Sequence, residues 1–267
     1  MSNDFFLVDI PEFIPEYDEK RQYGYSDTQL KKQLIQLLCN TSEGYCMYCY
    51  NSVKINGNIY ADLEHGIEKS IDNEIFEDCI PNISISCSKC NQKYKRLGEK
   101  KRISYMKEQK KEIIGCRNID CKQLCDQMVE LRKKYVDNGK ILIYPFGNCI
   151  IDKNKLEIQY DLLNAKYIPS EKYDYTKHER EVIENHIKLF RLNSPERRNR
   201  EVPLYCKNVI NQKSLLLDIR YNNYIVDLFR KKLEKLNSIS KAVEICKIVY
   251  FMNFIKIFVC GKRPIFL

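Results

Sequence analysis

Two cysteine pairs of equal spacing, Cys46-x-x-Cys49 and Cys87-x-x-Cys90, restrict this chain more than any other feature of its sequence. A CxxC turn directs two thiolates at one point, and two such turns complete the tetrahedral shell that zinc accepts without electronic preference. The pairs stand further apart than in a compact zinc ribbon, so the chain between them must build a substructure of its own. Four thiolates leave no coordination position open to water or substrate, which makes the expected Zn²⁺ a structural ion. The competing reading is four reduced core cysteines in a cysteine-rich chain.

The other cysteines bear on compartment. The total of 13 is odd, which suits a closed disulfide framework poorly. The opening Met1-Ser2-Asn3-Asp4 lacks the basic and then apolar run of a signal peptide. A reducing cytoplasm is therefore expected, where cysteines serve as core fillers, metal ligands or nucleophiles. Lys and Arg outnumber Asp and Glu by 45 to 36, a formal charge of +9, and the pI is near 8.8. Such a balance favours an anionic partner, most often nucleic acid. A chain rich in Lys, Asn, Ile and Tyr and free of Trp also arises from AT-rich coding, so charge alone does not decide. The apolar stretch from Ile245 to Val259 is broken by Lys247, Asn253 and Lys256 and is too short for a bilayer span. It predicts a buried or partner-docking helix, with no membrane involved.

Local patterns place the elements. Residues 1–25, acidic and aromatic with Pro11 and Pro15, predict an extended arm. Ser26-Asp27-Thr28-Gln29 has capping-box spacing, with Ser26 as the cap, and Leu30, Leu34, Leu37 and Leu38 share one face, so a helix is expected over 27–39. Asn56-Gly57 between Val53-Lys54-Ile55 and Ile59-Tyr60-Ala61 predicts a tight hairpin. Leu63-Glu64-His65 and Asn82-Ile83-Ser84-Ile85-Ser86 read as strands either side of a polar loop over about 70–81, with a helix starting near Ser88 or Lys89. Further helices are expected over the basic run Arg96 to Lys111, over 119–135, and from about 176 onward. Ile141-Leu142-Ile143 and Leu156-Glu157-Ile158 read as short strands.

The order Cys46-x-x-Cys49, Glu64-His65, Asn82-Ile83, Cys87-x-x-Cys90-Asn91 resembles the HNH endonuclease superfamily in its zinc-knuckle, McrA-like variant, over about a fifth of the chain. The resemblance implies an α+β fold with a ββα-metal core and hydrolysis of phosphodiester bonds in DNA or RNA. His65 would be the general base, since His alone has an unperturbed pKa near neutrality. Glu64 and Asn91 would hold one Mg²⁺ or Mn²⁺ acting as Lewis acid, and Asn82 would orient the His65 imidazole. Lys69, Lys93 and Lys95 would meet phosphates. Blander roles stand beside these: Asn91 as a helix cap, Asn82 as a turn residue, the lysines as solvated surface. Two departures matter. Glu68 stands where many relatives have Pro, and Tyr94 stands where they have Lys, three residues after the final Asn.

A looser likeness over Tyr144-Pro145-Phe146, Ile183, Leu189, Leu192-Asn193 and Arg197 to Arg200 is similar to PtuB, the HNH subunit of Septu and retron-Septu anti-phage systems. It implies an ABC-type (PtuA-like) ATPase as partner and a docking role for the C-terminal half. Three parts are expected: an arm and helix over 1–40, the nuclease core over 41–100, and a mainly helical regulatory region over 101–267. Cys121, Cys125 and Met128 at helical spacing predict core packing, and Cys116, Cys121 and Cys125 raise a weaker option of a second metal site. His178 and His186 are expected in surface or structural roles. The alternatives to the leading function are a restriction-type HNH nuclease acting alone and a non-catalytic zinc-ribbon adaptor that binds nucleic acid.

Overall fold

The computed structural model describes residues 3–109, 121–146, 149–197, 200–216 and 219–259. In chain order its strands are β1 (Leu7–Asp9), β2 (Lys54–Ile55), β3 (Asn58–Ile59), β4 (Asp62–His65), β5 (Ile83–Ser86), β6 (Ile158–Asp161) and β7 (Lys166–Pro169). Its helices are α1 (Thr28–Thr41), α2 (Asn73–Phe76), α3 (Glu99–Gln109), α4 (Asp126–Gly139), α5 (Lys177–Leu189), α6 (Glu201–Gln212), α7 (Tyr224–Glu234) and α8 (Ile239–Val259). The class is mixed α and β with small sheets. Two compact units cut across the linear three-part division: Pro11–Glu157 with Pro169–Arg191, and the described parts of Met1–Ile10, Ile158–Ile168 and Leu192–Leu267.

The larger unit holds both cysteine pairs. Its first helix, α1, is capped by Asp27 and not by Ser26. The Asp27 carboxylate accepts from the amides of Gln29 and Leu30, both at 2.8 Å, while the Ser26 hydroxyl donates to Asp78 at 2.7 Å. Either side chain can serve as a cap, and the long-range bond to Asp78 settles the choice. Asn56 and Gly57 take φ of 49° and 83°, the positive pair that a tight hairpin requires, and join β2 to β3. Strand β4 then pairs antiparallel with β5 in the register Asp62↔Ser86 to His65↔Ile83.

Two expectations fail here for stated reasons. Helix α4 starts at Asp126, with Cys125 extended at the cap position (φ −76°, ψ 161°). Cys121 and Cys125 therefore precede the helix and share no face with the buried Met128, and Cys116 lies outside the described residues. The run Ile141-Leu142-Ile143 is buried yet forms no strand, because side chains take its backbone groups. The Leu142 amide donates to His186 Nδ1 at 3.1 Å. The Arg132 guanidinium donates to the Ile143 and Pro145 carbonyls at 3.0 and 2.6 Å. Helix α5 opens with a full capping box between Thr176 and Glu179. It carries His178 to Asp137 and His186 into the core, where His186, Phe190, Tyr48 and Tyr144 form one aromatic cluster.

The smaller unit contains the sheet β1-β6-β7. Leu7↔Asp161 to Asp9↔Gln159 pair antiparallel, so part of the expected N-terminal arm is a strand. The strand expected at Leu156–Ile158 runs instead from Ile158 to Asp161, where β1 offers ladder partners. Helix α8 buries Ala242, Ile245, Cys246, Val249 and Asn253, one face at helical spacing. Asn253 donates to the Leu162 carbonyl at 2.9 Å. Among the described residues no helix is long and apolar enough to cross a membrane.

Candidate metal centre and histidine site

The sulfur atoms of Cys46, Cys49, Cys87 and Cys90 all lie within 4.8 Å of one another, with Cys49 and Cys87 at 3.7 Å. The first pair sits on a turn closed by the Cys46 amide to the Asn51 carbonyl (2.8 Å) and the Tyr50 amide to the Cys46 carbonyl (2.9 Å). The second follows β5 directly, with the Cys90 amide on the Cys87 carbonyl at 2.9 Å. Burial pushes the Cys46 thiol well above its ordinary range, and a cation among the four sulfurs would compensate the charge of thiolates this close together. Soft ligands, tetrahedral number and burial fit zinc. The Met47 amide donates to the Ile85 carbonyl at 3.2 Å, which ties the first turn to the hairpin that carries Glu64 and His65.

Side chains alternate along a strand, so Glu64 and His65 leave β4 on opposite faces. On one face Glu64 is 3% exposed. Its Oε2 accepts from the Tyr48 hydroxyl and from Ser84 Oγ at 3.1 Å, and its Oε1 is ion-paired with Lys95. Burial raises the Glu64 carboxyl, and the Lys95 ammonium opposes the rise. The Lys95 ammonium also donates to the His65 and Gly66 carbonyls, the latter at 2.8 Å. It reaches them from a wide π turn over Cys90–Tyr94, in which the Lys95 amide bonds the Cys90 carbonyl at 3.0 Å. Turns of this width recur at functional sites.

On the other face His65 Nε2 lies 3.0 Å from the Glu77 carbonyl oxygen. A carbonyl only accepts, so Nε2 carries the proton and Nδ1 keeps its lone pair. Burial lowers the His65 pKa to about 4, and the ring is therefore neutral at pH 7. The Tyr25 ring stands edge-on to the imidazole at 4.7 Å, and the Lys31 and Lys69 ammoniums lie 4.4 and 4.6 Å from the centre of that ring. Lys69 also pairs with Glu77 at 2.8 Å.

Asn82 acts on the backbone and not on the imidazole. Its side chain accepts from the Ile67 amide and donates to the Ile67 carbonyl, both at 2.8 Å. Its carbonyl accepts from the Gly66 amide at 2.7 Å. The expected contact with the His65 ring is thus replaced by a clamp on the two residues that follow it. Gly66 is confined by the same clamp: a Cβ there would lie 3.1 Å from Asn82 Oδ1 and 3.2 Å from the Tyr144 carbonyl.

The other expected residues fall into separate groups. Asn91 donates to Asp62 at 3.4 Å, as does Gln92 at 3.2 Å. Lys93 is exposed. Lys95 is 5% exposed and held by Glu64, so it does not meet phosphates. Glu68 accepts from Arg102 at 3.0 Å and Tyr135 at 2.7 Å inside the protein. Cys121 and Cys125 join no metal-binding group among the described residues. Sequence reasoning missed Tyr25, Lys31, Tyr48 and the true partner of Lys95. An i, i+5 turn has no residue signature to announce the last.

No protein-family model matches this sequence, and neither a curated protein nor a solved structure matches it.

Proposed function

We propose that this chain is a nuclease that hydrolyses phosphodiester bonds of nucleic acid, with His65 as general base, in the manner of the zinc-knuckle HNH enzymes it resembles. The observation that carries the reading is the His65 Nε2 bond to the Glu77 carbonyl. It leaves Nδ1 as a neutral, oriented acceptor for the proton of an attacking water. As the ring becomes cationic, the Glu77 carbonyl stabilises it through Nε2–H. Lys31 and Lys69 bring positive charge to the Tyr25 ring that stands beside His65, suited to a phosphate. Zinc in the four-cysteine shell would keep the hairpin in register and take no part in the chemistry.

A divalent ion on Glu64 and Asn91 does not fit the arrangement. Both Glu64 oxygens are occupied by Lys95, Tyr48 and Ser84, and Asn91 pairs with Asp62. No step is assigned to Mg²⁺ or Mn²⁺ at Glu64. The same occupancy favours a second reading, a zinc-stabilised adaptor that binds nucleic acid without cutting it. Partnership with an ABC-type ATPase in anti-phage defence rests on the C-terminal sequence likeness alone.

The test compares zinc-loaded wild type with His65→Ala on plasmid, single-stranded DNA and tRNA. Each substrate is tried with Mg²⁺, Mn²⁺ or EDTA, and with and without any ATPase encoded beside the gene. Cleavage that falls roughly 100-fold or more in the variant, the usual loss for a general base, supports the reading. Equal cleavage by the variant, or none by wild type in every arm, removes it and leaves the adaptor.

A further inference from the structure

We infer that Lys95 is a built-in cation: its ammonium takes, at Glu64, the place a divalent metal ion would otherwise have. The inference concerns what fills an oxygen pocket, so it stands whether or not the hairpin cleaves nucleic acid.

Three oxygens converge on the Lys95 ammonium: Glu64 Oε1 and the carbonyls of His65 and Gly66. An ammonium has three N–H donors and no acceptor, so donors and acceptors match in number. A carboxylate with two consecutive carbonyls is also the hard-oxygen set that Mg²⁺ and Mn²⁺ select. The side chains of Lys95 and Glu64 are 6% and 3% exposed, so the pocket admits no second cation beside the ammonium. The far oxygen of Glu64 is taken by two hydroxyls, from Tyr48 and Ser84. The carboxylate is thereby fully satisfied, as a buried charge must be.

The lysine is aimed by the zinc knuckle itself. Its π turn starts at Cys90, a sulfur ligand, and closes by the bond from the Lys95 amide to the Cys90 carbonyl. A regular turn has one residue fewer per closure, and it is the extra residue that brings Lys95 onto the Glu64 face. The ammonium then grips the His65 and Gly66 carbonyls, and Asn82 grips the Gly66 and Ile67 amides from the other side. Lys95 is therefore a positioning residue for the turn after His65. It does the work of a bound ion while leaving the site independent of metal supply. Shortening Lys95 should convert the pocket into a true divalent site, with water completing the coordination shell.

The experiment titrates Mn²⁺ into the zinc-loaded full chain and reads bound Mn²⁺ by electron paramagnetic resonance. Wild type, Glu64→Gln, Lys95→Ala and the double variant Glu64→Gln/Lys95→Ala are compared. The inference predicts that Glu64→Gln leaves wild-type Mn²⁺ binding unchanged. It predicts that Lys95→Ala gains one site at least ~10-fold tighter than any in wild type, about 1.4 kcal/mol, and that the double variant loses it. Mn²⁺ bound by wild type and released by Glu64→Gln would overturn it, as would a folded Lys95→Ala with no gain. If Lys95→Ala does not fold, the wild-type and Glu64→Gln pair still decides. All readouts are of binding, so a failed cleavage assay leaves them intact.

Discussion

Two candidate cation sites lie beside the hairpin β4–β5, one of sulfur and one of oxygen, and they meet the same electrostatic problem in opposite ways. The sulfur site gathers four thiols within 4.8 Å and could hold an ion taken from outside, such as zinc. The oxygen site gathers a carboxylate and two carbonyls around Lys95 and carries its charge in the chain. The first is soft and tetrahedral and suits zinc; the second is hard and completed by an ammonium. The contrast teaches that a carboxylate beside a histidine in a metal-like motif is not a metal ligand until its other partners are known.

The largest effect that would sharpen the contrast comes from the sulfur side. Chelation of zinc, or Cys90→Ser, is expected to unfold the larger unit, because structural zinc supplies about 10 kcal/mol or more in small zinc-dependent folds. Circular dichroism with and without chelator reads this, and an intact spectrum in zinc-free protein would remove the distinction. Next, Lys95→Met strands a buried carboxylate and should cost about 3–5 kcal/mol in denaturant unfolding. Glu64→Gln in the same chain should restore part of that loss, and equal costs for the single and double variants would show that the pair is not coupled. Smaller again, Asn82→Ala frees the Ile67 backbone groups and should cost about 1–3 kcal/mol, with zinc content unchanged.

The last effect is graded over a range of pH. Burial holds His65 near pKa 4 and His186 near 3, both below the unfolded value of about 6.5. The unfolded chain therefore binds more protons between these limits. Stability is full above about pH 6.5 and falls as pH drops toward 4. His65→Gln should flatten part of this acid limb and leave the His186 part, measurable as melting temperature against pH. A profile identical to that of wild type would show that His65 is not buried in its neutral form.

Legibility in the sequence followed the range of the interactions. The cysteine cluster, the Asn56-Gly57 hairpin, and strands near Asp62–His65 and Ile83–Ser86 could all be read, since each rests on spacing or turn chemistry within a few residues. The cap of α1 could not, because Ser26 and Asp27 are equal candidates until Asp78, 52 residues away, takes Ser26. Cys121 and Cys125 mimic a helical face, but the chain is extended at Cys125. The pairing of β1 with β6 joins residues 150 apart and leaves no local trace. Lys95 was the least legible. Within a basic run it looks like one more solvated lysine, and only the π turn makes it the partner of Glu64.

The most direct test of the two-site account is a metal count on the full chain. The protein would be dialysed against Zn²⁺ and Mn²⁺ together, cleared of loose ions and analysed for both elements beside Glu64→Gln. The account predicts one zinc per chain in both proteins and no Mn²⁺ that depends on Glu64. Zinc-free, folded protein, or a stoichiometric Mn²⁺ that disappears in Glu64→Gln, would contradict it.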